Sequence, residues 1–330
     1  MSFRPAPWGA TIATLIGLAA ITLPAAHAQV PKVVTSIKPV DALVAGVMGK
    51  LGTPRLLVQG GASPHSYALK PSDARGLDEA NIVFRVSENL ETFLNHPLET
   101  LAGKATVVDL AEADEVKTLG FREGAVWEED EHAHHDEATH DDAAHNGTDH
   151  ANHHHDHSGM DPHVWLDPAN ARAMVDAIAD TLKTADPENA DTYATNAAEL
   201  NGRLSALEAK IAAELAPVRG RPFIVFHDGY HYFEHKFDIE ASGAVAVDPE
   251  HQPGVARVRE IRDRIVASGA ICVFAEPQFR PQLVATLIDG TSARAGVLDP
   301  LGADVKPGPG AYEAMMENLA KSLHDCLAGS

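Results

Sequence analysis

The chain is short of cysteine, of positive charge in one long stretch, and of apolar runs beyond its first residues. Cys272 and Cys326 are its only cysteines among 330 residues, so at most one internal disulfide is available. In an exported chain an even pair favours that bridge. It would close a loop of about 55 residues and add roughly 4 kcal/mol in the chain-entropy view. A pair of thiolate metal ligands is the other reading of the same two residues. Between Glu123 and Asp161 there is no lysine or arginine but twelve aspartates and glutamates, more than half of the formal net charge of −21. The rest of the chain is only mildly acidic. This balance argues against nucleic acid as a partner and in favour of a cation. No apolar run after the N-terminus approaches the roughly 20 residues of a membrane span, so the mature chain is expected to be soluble.

The first residues read as an export signal. Arg4 is the only early positive charge; an apolar run from Ala10 to Leu23 follows, then Pro24 and the small-residue pattern Ala26-His27-Ala28. That order predicts a signal peptide over 1–28, a mature start at Gln29 and a periplasmic destination. About 300 residues then remain, a size that usually divides into two domains.

Strands and helices alternate along the mature chain. KVVTSI, a short strand at RLLVQ, ANIVFRVS and KATVVDL read as strands. DALVAGVMGK and ENLETFLNHPLETLAG read as helices, and GGASPHSYALKPSD reads as a loop. This pattern predicts an α/β fold with a parallel sheet covered on both faces. It stops near Gly124. Residues 124–159 have almost no large apolar side chain after Trp127, so ordering them could not be offset by burial and disorder is expected. Order returns at MDPHVWLDP, where Asp167 can cap a helix with Pro168 in its first position. Pro187 opens a longer helix with Tyr193, Leu200, Leu204, Leu207, Ile211 and Leu215 at helical spacing, about 40 Å long. From PFIVF onward the alternation restarts. The expected division is a first lobe over 29–186, a connecting helix over 187–216 and a second lobe over 217–330, with no evident sequence repeat between the lobes.

Ten histidines lie between His132 and His157, mixed with acidic residues in the segment expected to be disordered. Such ligands are mobile, so weak and plural metal binding is expected of them, aided by long-range attraction of cations. Three other histidines stand alone in stiff contexts beyond strands: His65 after Pro64, His163 after Pro162, and His227 directly after PFIVF. Ligands in open α/β sheets lie beyond the carboxyl ends of strands. Three neutral imidazoles make a sound zinc shell. Asp299 in VLDPLG, also just past a strand, is the candidate fourth ligand, with water as the alternative. His227, His231 and His235 form H-x3-H-x3-H, which raises a second metal site as a lesser possibility. Catalytic zinc is the rival from another class, but there is no H-E-x-x-H motif. Glu276 and Asp228 could orient imidazoles or serve as bases, and sequence does not separate these roles.

The motifs GASPHSYALKPSD, DPHVWLDP, FIVFHDGYHYFEHKF, PEHQPG, CVFAEPQFRP and LDPLG resemble those of the periplasmic zinc-binding proteins of ABC uptake systems (ZnuA type), over essentially all of the mature chain. The resemblance implies two (β/α)4 lobes, each a parallel sheet flanked by helices, joined by one long rigid helix. It implies one Zn2+ in the cleft, held by His65, His163 and His227, and a disulfide between Cys272 and Cys326. Some members of that family carry an acidic residue just before the first histidine. Pro64 stands there in this chain and cannot ligate, which leaves Asp299 or water for the fourth position. Related manganese-type proteins use carboxylates where this chain has His227, so zinc is favoured over manganese.

The function so implied is capture of Zn2+ in the periplasm and delivery to an inner-membrane ABC permease, by a monomer that is not an enzyme. A periplasmic zinc chaperone is a further partner on this reading. The alternatives are a binding protein for manganese or another divalent metal, a zinc-dependent hydrolase built on the three histidines, and a zinc buffer without a permease.

Overall fold

The computed structural model of the chain describes residues 30–122, 159–246, 253–279 and 282–329. The expected signal peptide and all of the expected insert except Gly159 lie outside the described residues.

The first half builds β1 (Val33–Thr35), α1 (Lys38–Met48), β2 (Arg55–Leu56), α2 (Pro71–Asp78), β3 (Ile82–Arg85), α3 (Thr92–Thr100) and β4 (Thr106–Asp109). All pairings are parallel, in the order β2-β1-β3-β4. β1 and β3 are buried along their whole length, as strands covered on both faces must be. The second half repeats the plan with β5 (Phe223–His227), α6 (His231–Phe237), β6 (Ala244–Ala246), α7 (Val255–Ser268), β7 (Cys272–Ala275), α8 (Gln282–Ile288), β8 (Arg294–Val297) and α9 (Ala311–Ala328). Its sheet, β6-β5-β7-β8, has the same relative strand order as the first. The two lobes therefore share a topology that their sequences do not display as a repeat.

Two helices stand between the sheets in sequence, α4 (Pro168–Ala185) and α5 (Ala190–Leu215). Asp167 caps α4 by accepting the Ala169 amide, with Pro168 in the first turn. α5 has 26 residues, and the expected stripe from Tyr193 to Leu215 is buried without exception. α5 packs on α4 and α1 and also on α9. One continuous hydrophobic cluster consequently runs from Val33 and Phe84 in the first lobe, through Leu204 and Ile211, to Phe223, Phe274 and Met316 in the second. A shared close-packed core of this kind resists wide opening of the lobes.

Helix α2 was not expected; the stretch around it reads as loop. Only Asp73, Gly76 and Leu77 of its eight residues are buried, so it has little apolar periodicity. Its start is set by Pro71 and by the Asp73 carboxylate, which accepts the Lys70 amide at 3.0 Å.

Cys272 and Cys326 are bonded to each other and tie β7 to α9 across 54 residues. Cys272 is fully buried, and neither cysteine is available as a metal ligand. Replacing both cysteines by alanine is expected to lower unfolding stability by roughly 2–5 kcal/mol. Urea denaturation of the variant and the parent under non-reducing conditions checks this.

Candidate metal centre

Strand register builds half of the centre. β5 and β7 run in parallel with Phe223 opposite Cys272 and Ile224 opposite Val273. Continued to the strand ends, that register sets Glu276 beside His227. The His227 Nδ1 and Glu276 Oε1 are 2.6 Å apart, and both residues are buried. The other half comes from the ordered segment before α4. Asp161 Oδ1 accepts the His163 amide at 3.0 Å and meets His163 Nδ1 at 2.7 Å. The Trp165 ring packs against His163 at 5.2 Å between centroids. His65 arrives from the long loop after β2. Its amide is bonded to Ser63 Oγ at 3.2 Å, and the Tyr67 hydroxyl, 3.0 Å from the Leu57 carbonyl, holds the loop downstream.

The three rings converge, with centroids 5.1 Å apart for His163 and His227, 5.6 Å for His65 and His163, and 6.0 Å for His65 and His227. One nitrogen of each lies within 4.8 Å of the other two. The Nε2 atoms of His163 and His227 are 3.3 Å apart. Two nitrogens bound to one tetrahedral Zn2+ at its usual bond length are also separated by about 3.3 Å. The carboxylates on the Nδ1 atoms assign the protons there. The Nε2 lone pairs of the two rings then face each other and repel unless a cation lies between them. The free space among the rings is about 10 Å3, on the order of one water-sized sphere.

The electrostatics also favour positive charge. Burial opposes protonation of His227, but the Glu276 carboxylate, with Asp228 and Asp161 farther away, more than offsets it and holds its pKa above the ordinary imidazole value. Burial likewise pushes Asp161 up, yet the His163 ring and amide win and its pKa lies below the usual aspartate value.

Not every candidate comes to this place. Asp299 stays outside the cluster. Its Oδ1 accepts from Gln278 Nε2 at 3.0 Å and from the Leu301 amide at 3.2 Å, and its Oδ2 takes the Ala303 amide. It organises a turn. Asp228 orients no imidazole; it is paired with Arg122. His231 opens α6 and His235 is exposed on the same helix, whereas His227 ends a strand. His231 and His235 share α6 as expected, but among the described residues only His65, His163 and His227 form a cluster of metal donors. The role of Asp161 was missed, although Asp-Pro-His places a carboxylate two residues before a ring it can reach. A larger cavity, about 460 Å3, is lined by Lys38, Asp41, Gln59 and the 303–309 segment and contains no such cluster.

Two parallel-sheet lobes that bring three imidazoles into an ion-sized cluster define a solute-binding protein for a metal ion. The family described as "Zinc-uptake complex component A periplasmic" matches residues 33–326. The chain is 48% identical over 305 residues to the high-affinity zinc uptake system protein ZnuA of Brucella suis biovar 1 (strain 1330), covering 90% of this chain and 91% of that one. It is 39% identical over 329 residues to the protein of the same name from Paracoccus denitrificans (strain Pd 1222), covering 97% and 98%. Among solved structures, a crystal structure of ZnuA aligns with a TM-score of 0.72 at 22% identity, covering 90% of this chain and 99% of that one. The periplasmic zinc-binding protein TroA from Treponema pallidum aligns at 0.71 and 18%, covering 90% and 99%. The chain belongs to the ZnuA family of periplasmic zinc-uptake components, and zinc is its cargo.

With His227 as a zinc ligand, as proposed below, Glu276→Ala is expected to weaken zinc affinity roughly 10–100-fold by freeing the His227 ring, with an unchanged circular dichroism spectrum as the control for folding. Proton competition at His227 should set in at higher pH than for a free imidazole, because its pKa is raised. Zinc affinity therefore falls as pH drops through that raised value and toward 5, which competition titrations at several pH values can follow.

Proposed function

We propose that His65, His163 and His227 are the protein ligands of the transported zinc and that water, rather than Asp299, takes the fourth position. The observation that carries this reading is the convergence of three imidazole nitrogens within 4.8 Å, two of them already at the separation of zinc-bound nitrogens. An all-imidazole donor set suits Zn2+ better than Mn2+. The small space among the rings argues against an enzyme, since an organic substrate could not reach the ion between them. All three ligands come from one chain, so a monomer suffices.

On this reading the first lobe spans 29–186, the connecting helix 187–216 and the second lobe 217–330, and the export signal is cleaved near Ala28 and Gln29. Zinc bridges the lobes and stabilises one arrangement, which the permease recognises. The shared core restricts the change to local ordering of loops. The His- and Asp-rich segment 124–159 collects zinc by mass action and long-range attraction, an inference from its composition alone.

A zinc titration of metal-free mature protein, a variant lacking residues 124–159 and His227→Ala tests the assignment. One tight site is expected in the first two and its loss, by at least a hundredfold in affinity, in the third. Tight binding that vanishes with the segment and survives His227→Ala would move the zinc site out of the cleft.

A further inference from the structure

Lys38 is an outlier among the lysines. It begins α1 in the first lobe and is only 5% exposed. Its ammonium donates to three backbone carbonyls of the second lobe: those of Gly302, Ala303 at 2.8 Å and Val305 at 2.9 Å. An ammonium has three hydrogens, and all three are used on one turn of the opposite lobe. Burial disfavours its charged form, and the carboxylates of Asp299, Asp304 and Asp41 offset part of that.

The gripped turn touches the metal centre from several sides. Pro300 and Leu301 line the space around the three imidazoles. The Pro300 carbonyl accepts the Trp165 indole N–H at 2.9 Å, and Trp165 packs on His163. The loop that carries His65 runs against the same turn, since a side-chain carbon at Gly61 would lie 3.9 Å from the Ala303 methyl. Asp299 folds the turn from within through its bonds to the Leu301 and Ala303 amides. Beside Lys38 the 460 Å3 cavity reaches Ala303 and Val305, so a released turn has space to move into.

We propose that Lys38 is a positioning residue for zinc retention: it latches the 299–305 turn of the second lobe onto the first, and its hold sets how long zinc stays in the cleft. The proposal rests on the three-histidine reading above. Lys38 touches no metal ligand. It acts by keeping Pro300 and Leu301 over the imidazoles and by backing the His65 loop. A permease that releases zinc has to loosen this contact, because the shared core beneath it resists wide opening.

The test is the zinc dissociation rate of zinc-loaded protein mixed with excess EDTA. Lys38→Met keeps the aliphatic stem and removes the three donors. It is expected to speed release at least roughly tenfold while changing association little. Arg85→Met, which breaks the Arg85–Asp109 pair inside the first lobe, is the comparison: it should lower the melting temperature but leave release at the parent rate. Hydrogen exchange on the parent protein needs no variant. The Leu301 and Ala303 amides should become more protected when zinc is loaded. Release from Lys38→Met at the parent rate would overturn the latch, and so would amides at 301 and 303 that ignore zinc. Tight zinc binding that persists in His227→Ala would instead defeat the three-histidine reading itself.

Discussion

The burial of α5 between the two lobes is the constraint on which the rest of the structure depends. Its stripe from Tyr193 to Leu215 is fully buried, and the cluster it joins reaches both sheets. The chain thus has two sheets but one principal core. Two lobes that share a core resist moving apart, so side chains from both can be held near one another without a ligand to organise them. A binding protein with a loose hinge would have to order its ligands on each capture, at a cost in affinity.

Upon that frame the metal centre is a problem of orientation. A neutral imidazole offers one lone pair, and which nitrogen carries it is decided by what the other nitrogen meets. Glu276 and Asp161 settle this for His227 and His163. Both carboxylates are buried, and each has an imidazole as its hydrogen-bond partner. Together they give the pocket a negative surround and turn two nitrogen lone pairs toward one point. His65 stands half-buried on the loop after β2, with its amide on Ser63 Oγ. That loop lies against the turn that Lys38 grips.

Much of this was legible in the sequence. The alternation of strands and helices, the Asp167-Pro168 helix start, the apolar stripe of α5 and the three histidines beyond strand ends are local signals. They depend on periodicity, on capping chemistry and on proline or glycine nearby. The insert expected over 124–159 was read from composition and, but for Gly159, lies outside the described residues. These features follow from short stretches of chain, because backbone propensity and amphipathic spacing are short-range properties.

What only the tertiary structure decided involves pairs distant in sequence. Glu276 reads in sequence as a residue that could orient an imidazole, but that it meets His227, 49 residues away, follows from which strands are neighbours. Asp299 resembles a ligand in sequence, and in the fold its oxygens accept from Gln278, Leu301 and Ala303. Lys38 reads as an ordinary residue before a proline, and its partners lie more than 260 residues on. Helix α2 escaped notice because its start rests on one aspartate and its burial on a few contacts from elsewhere in the lobe. The sequence by itself determined most of the elements and the donor types. Packing of the two sheets around α5 decided which donors meet, since that depends on strand order and lobe placement, which no local stretch encodes.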